Sequence, residues 1–113
     1  YDSYVKFFLY GDSKASIPHG VRIFNKVGLA YGYMTDNAYV VDFANGVEFL
    51  LTATVLVNAN GIFGDGEYEY DELGFSFLAE LGRVIYDYEL GRERPRQPDL
   101  GNLAELWAFE ENE

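Results

Sequence analysis

Residues 17–32, Ile-Pro-His-Gly-Val-Arg-Ile-Phe-Asn-Lys-Val-Gly-Leu-Ala-Tyr-Gly, begin as a loop and run into a strand. Pro18 and Gly20 break regular structure, and Val21 to Phe24 supply the β-branched and aromatic side chains that suit a pleated surface. The strand carries Asn25-Lys26-Val27-Gly28 and continues through Leu29 to Tyr33. Lysine is rarely buried without a partner. Glycine inside a strand often marks the close approach of another backbone or of a ligand. A lysine two residues before a glycine, in an otherwise apolar strand, is therefore the pattern on which the rest is read.

Two further strands are expected downstream, at 38–43 and 47–57. Asn45-Gly46 joins them as a tight hairpin, because this dipeptide adopts the positive φ angles such turns need. Asp36 and Asn37 read as the turn between the first and second strands. The long strands at 21–33 and 47–57 are apolar on both faces at their centres, which predicts cover on each side. Upstream, Tyr4 to Tyr10 reads as the end of a helix stopped by Gly11, with Ser3 at its start and Lys6 in solvent. Residues 58–66 form a glycine-punctuated loop. A helix is expected at about 71–90, where Leu73, Phe77, Leu78, Leu81, Val84, Ile85 and Tyr88 recur at three- and four-residue spacing. Glu67, Glu69, Asp71 and Glu72 favour its N-terminus, Gly91 ends it, and Pro95 prevents its continuation. The fold class is thus α+β: a three-stranded antiparallel meander packed by a C-terminal helix. Its core is at about 4–90, and residues 91–113 are an arm. Within that arm, Arg92, Arg94 and Arg96 make a short basic patch. Leu100, Leu103, Leu106, Trp107 and Phe109 have the spacing of a short docking helix or an ordered arm.

The chain of 113 residues is one domain or a piece of one. An apolar share of 49% and an aromatic share of 18% exclude a disordered polar chain. The net charge of −11 argues against nucleic acid and anionic membrane surfaces, both of which select basic patches. No cysteine is present, so no disulfide or thiolate metal site forms. No apolar run is long enough to span a membrane as a helix. His19, the single histidine, cannot build a zinc site alone. The alternating acids Asp65, Glu67, Glu69 and Asp71 do not fit calcium-loop spacing and read as a solvated helix start.

The stretch around Lys26 resembles the Lys-Thr/Ser-Gly strand of class A β-lactamases and penicillin-binding proteins. The likeness is to a divergent group of β-lactamase-like serine hydrolases that carry Asn-Lys-Val-Gly in its place. It extends over residues 4–90 in the order of elements: a helix end, the Ile17-Pro18-His19-Gly20 loop, the lysine strand, two antiparallel strands and a helix. The resemblance implies that Lys26 faces a substrate cleft and supplies positive charge there. It implies that Gly28 leaves the strand edge clear for substrate, and that the Leu29 amide forms half of an oxyanion hole. Asn25, Val27 and Ala30 are the corresponding substrate-binding positions. Valine at 27 replaces the family's hydroxyl residue, so an ester, an amide or a cell-wall peptide is a better expectation than a β-lactam. No cofactor is implied, and an exported or periplasmic location is.

In that family the nucleophile lies in a Ser-x-x-Lys motif far upstream. Ser3-Tyr4-Val5-Lys6 stands too close to Lys26 to leave room for the intervening helical domain, and Thr35-Asp36-Asn37 follows Lys26 where the family's related motif precedes it. Both are expected to be chance matches. The chain accordingly reads as the C-terminal sheet-and-helix portion of a serine hydrolase, without its nucleophile and inactive alone; Tyr1 in place of methionine fits a cleaved or partial chain, and processing alone also accounts for it. Its partners would be the remainder of that hydrolase and a small-molecule or peptide substrate. The alternative is a stand-alone α+β binding or self-association module. The first predicts bare apolar surface and the second polar alternation on one sheet face.

Overall fold

The computed structural model describes residues 3–103. Strands β1 (Val21–Ala30), β2 (Tyr33–Asp42) and β3 (Val47–Leu56) form an antiparallel sheet in the order β1-β2-β3. A single turn, α1 (Phe7–Tyr10), precedes them, and the helix α2 (Phe75–Gly91) follows. The expected α+β arrangement of a three-stranded antiparallel meander and a C-terminal helix is present. The expected arm beyond Leu103, with Leu106, Trp107 and Phe109, lies outside the described residues.

The turns differ from expectation. β1 ends at Ala30 and pairs there with Tyr33, so Tyr31-Gly32 is a two-residue turn with φ of 53° and 90°. Positive φ at both positions is the geometry whose twist suits a two-residue hairpin. Tyrosine is an unusual first residue for it, which hides the turn inside the apolar run from Leu29 to Tyr33. Asp36 and Asn37, expected as that turn, instead lie in the middle of β2, opposite Val27 and Lys26. At the other end Asp42 pairs with Val47, so the β2–β3 connection has four residues rather than a tight Asn-Gly turn. The Asp42 carboxylate directs it by accepting hydrogen bonds from the Asn45 backbone N–H at 3.2 Å and the Asn45 side chain at 2.7 Å. Gly46 alone of the pair has positive φ.

Strand alternation divides the sheet into two faces. Ile23, Met34, Ala38, Val40, Val47 and Phe49 point to one side, where they bury against Phe7, Phe8, Leu9 and Leu78. The other side carries Phe24, Lys26, Gly28, Tyr33, Asn37, Leu50, Thr52 and Leu56, all exposed. Among the described residues, the expectation of cover on both faces thus holds along one face and, on the other, only at the row of Val41, which is buried.

α1 is not the end of a longer helix. Phe8 has ψ of 138° and Leu9 has φ of 70°, neither helical. Val5, with φ of 53°, is also left-handed. The segment instead folds back to put Phe7, Phe8 and Leu9 into the core. α2 is entered through a wide turn at Tyr70–Gly74. Its buried line is Leu78, Ala79 and Gly82, with Phe75, Leu81, Ile85 and Tyr86 packed beside it. Leu73, Phe77, Val84 and Tyr88, expected on the core-facing stripe, form an exposed row instead. The helix rotates because its close contacts are made through glycine. A Cβ on Gly82 would sit 2.6 Å from the Leu9 nitrogen and 2.8 Å from the Phe8 Cβ.

Gly82→Ala is therefore expected to push α2 off α1, even though alanine favours helices. Overpacking of this kind costs about 1–3 kcal/mol, more than the gain in helix propensity. A lower urea midpoint at unchanged slope would confirm it, and an equal or higher midpoint would refute it.

Candidate functional site

Among the described residues β1 is an edge strand, so one of its sides is open for pairing. The two-residue turn makes Ala30 and Tyr33 a hydrogen-bonded pair, and the alternation of antiparallel ladders then fixes every backbone group along β1. The Phe43 N–H to Gly20 O bond of 2.8 Å and the Val57 N–H to Gly32 O bond of 2.7 Å keep the same alternation at the two ends of β2. Lys26, Gly28 and Ala30 direct their backbone groups to β2. Asn25, Val27 and Leu29 direct theirs to the free edge. The Val27 carbonyl, on that edge, accepts a hydrogen bond from Lys26 Nζ at 3.0 Å.

The side chains divide the opposite way. Lys26, Gly28 and Ala30 share the open face. Across it lie Asn37 beside Lys26 and Thr35 beside Gly28, with Thr52 and Thr54 on β3 completing the rows. Thr52 donates to Asn37 Oδ1 at 2.5 Å, and the Thr35 and Thr54 hydroxyls are 2.7 Å apart. This polar band is bounded by Phe24 stacked on Tyr39 with Leu50 at one end, and by Tyr33 stacked on Phe63 with Leu56 at the other. A Cβ on Gly28 would meet nothing within 4 Å. The Tyr39 hydroxyl, which donates to Glu48, is held protonated by burial and by that carboxylate, its pKa pushed up to about 12.

Asn25, Val27 and Leu29 lie on the other face. Val27 and Leu29 line a cavity of about 390 Å³ with Ser3, Lys6, Phe7 and Phe75. Asn25 is a structural junction: its Oδ1 accepts from Lys6 Nζ at 2.7 Å, and its Nδ2 donates to the Val5 carbonyl at 2.9 Å and to Asp36 Oδ1 at 3.0 Å. The six residues singled out in sequence are thus contiguous on one strand. Three share the open face, and the remaining side chains lie behind it.

The sequence expectations for Ser3, Lys6 and Asp36 do not hold. Ser3 is buried in a turn rather than starting a helix, and its Oγ has no partner among the described residues. Lys6 is half-buried and bonded to Asn25, not free in solvent. Asp36 is fully buried and also accepts from the Phe8 N–H at 3.2 Å. Burial pushes the Asp36 pKa up, against the opposing hydrogen bonds from Asn25 and the Phe8 and Asn37 amides and the nearby Lys6 charge. Burial also pulls Lys6 down, with Asp36 opposing and Arg22 adding to the effect. Only tertiary placement brings these polar groups together; their sequence spacing carries no signal of it.

Comparison with protein-family models, with curated proteins and with solved structures gives no match.

The raised pKa of Asp36 means that the folded chain takes up its proton at a pH where the unfolded chain is still ionised. Stability therefore rises as pH falls through the native value, and levels off near the unfolded value of about 3.9. Relative to Asp36→Asn, the wild-type chain is expected to gain stability between pH 7 and pH 4 in urea titrations. A difference that stays constant over that range would show that the carboxylate is not perturbed.

Proposed function

We propose that this chain is the C-terminal sheet-and-helix portion of a β-lactamase-like serine hydrolase, contributing one wall of the site and not the nucleophile. In this reading Lys26 supplies positive charge to the substrate and to the attacking serine. Gly28 lets an extended substrate lie along the edge of β1, and the Leu29 N–H donates to the developing oxyanion. The chain alone does not turn over substrate. The remainder of the hydrolase is its partner, and the substrate is an ester, an amide or a cell-wall peptide in an exported or periplasmic setting.

The observation that carries the reading is the pairing of an exposed edge-strand lysine with a glycine whose missing side chain nothing in the described fold requires. The bare apolar groups support it as well. Phe24, Tyr33, Leu50 and Leu56 on the sheet, and Leu73, Phe77, Val84 and Tyr88 on α2, are surface that a larger protein would cover. The isolated chain is expected to gain no mass from a fluorophosphonate probe. In a longer protein containing it, the adduct is expected on a serine outside these 113 residues. There Lys26→Ala should slow labelling roughly 100-fold. An adduct mapped to Ser3, or a labelling rate indifferent to Lys26, would sink the proposal.

One feature favours the alternative of a stand-alone binding or self-association module. The Thr52–Asn37 and Thr35–Thr54 hydrogen bonds satisfy polar groups across the open face without any partner. A stable dimer in sedimentation equilibrium, dissociated by Leu50→Glu at the most exposed apolar position of that face (79%), would support this second reading.

A further inference from the structure

At the end of the sheet remote from Gly28, beside the β2–β3 connection, lies an open cavity of about 400 Å³. It is lined by Glu48, Arg92, Arg94, Arg96, Gln97 and two prolines. Three of the chain's eight basic residues converge there, in a molecule of net charge −11. Like charges brought together in this way repel one another, and the described fold explains only part of the arrangement. Arg92 follows the C-terminus of α2, where positive charge is favoured, and pairs with Glu89 at 2.9 Å. Glu48 accepts a hydrogen bond from the Tyr39 hydroxyl. Arg94 donates through Nη1 to the Gly46 carbonyl at 2.5 Å. Its Nε–H is buried with no acceptor among the described residues. Arg96 forms no ion pair with a described residue.

Arg94 is the informative member. With Nη1 committed to Gly46, its remaining edge is Nε with Nη2, two parallel donors that match the two oxygens of a carboxylate or phosphate. A buried donor left without an acceptor is costly, because it has lost water and gained nothing. Nε is shielded from solvent, so an acceptor reaches that edge only if neighbouring groups move; the Pro95–Pro98 stretch that lines the cavity carries no helix or strand. Of the three guanidinium groups only Arg92 has an ion pair among the described residues, with Glu89.

We propose that this cavity binds an oxyanion, carboxylate or phosphate, held bidentately by the Nε–Nη2 edge of Arg94 and by Arg96. The site is separate from the Lys26 strand. It is six residue rows from Gly28 along the sheet, since Glu48 stands in the row of Arg22 and Val41, whereas Gly28 stands with Thr35 and Thr54.

The test is calorimetric titration of the full chain with inorganic phosphate and, separately, with succinate, against chloride at matched ionic strength. Saturable one-to-one binding of either probe is expected, and the tighter one identifies the oxyanion. Arg96→Ala removes a side chain with no described hydrogen bond, so its melting temperature should be unchanged while affinity falls about tenfold or more. Arg94→Lys keeps the charge but not the fork and should weaken binding comparably. Absence of saturable heat from both probes, or equal affinity in both variants, would overturn the proposal.

Discussion

Asp36 stands in the central strand with its carboxylate inside the protein, and the N-terminal segment is organised around it. One oxygen accepts the Phe8 N–H and the other accepts Asn25 Nδ2. Asn25 in turn holds the Val5 carbonyl and Lys6 Nζ. Val5 and Leu9 both have positive φ, which for non-glycine residues costs of order 1–3 kcal/mol each and persists only where the surroundings over-determine it. Here they do. Asn25 binds the carbonyl of Val5, and Arg83, itself paired with Asp12, binds the carbonyl of Leu9 at 2.7 Å. The strained backbone is what lets Phe7, Phe8 and Leu9 turn inward together. Deleting the Asp36 carboxylate would leave the Phe8 N–H and Asn25 Nδ2 without their acceptor, and each buried donor left unmet costs about 1–3 kcal/mol.

This junction also explains the division of β1. A strand offers alternate side chains to opposite faces, so Asn25 can anchor the N-terminal segment only if Lys26 points away from it. The buried network behind the sheet therefore orients the exposed lysine in front of it. Val27 and Leu29 follow Asn25 to the rear face, while their backbone groups look out along the free edge. Side-chain role and backbone role are thus separated on one strand.

Element types were legible in the sequence to the extent that a strong local pattern had no competitor. Val47 to Leu56, dense in β-branched and apolar residues, and the helix body after Phe75, apolar at three- and four-residue spacing, are such segments. The first hairpin turn was not legible, because Tyr31 carries none of the usual turn chemistry and its conformation is settled by packing. Gly32 has no room for a Cβ, which would lie 2.8 Å from that of Asn58, and its N–H donates to the Tyr70 hydroxyl at 2.9 Å. Misplacing that turn put Asp36 and Asn37 in a loop and concealed the buried carboxylate. The rotation of α2 was hidden for a related reason: periodicity marks a residue as apolar, but Gly82 decides which side approaches. Lys26 and Gly28 were legible as unusual residues in a strand. That they share a face with Ala30 and not with Leu29 follows from alternation once the strand is fixed.

The glycines allow a sharper argument about β1. Gly32 and Gly82 are required by the fold, since a Cβ at each would meet a backbone atom or another Cβ at 2.8 Å or less. Gly28 is different, because an added Cβ would stand in open space. Glycine in a strand interior weakens it through lost packing and greater unfolded-state entropy. Lysine on an edge strand has an ordinary explanation, because its charge discourages pairing with another chain. That explanation does not extend to Gly28, which strips the same edge of side-chain protection two residues later. The two residues together keep a charged group beside a stretch of edge left bare. Such a combination suits an extended ligand whose backbone pairs with β1 while its polar groups face Lys26. A strand selected only for stability would place a β-branched residue at 28, where Thr35 and Thr54 already offer it neighbours.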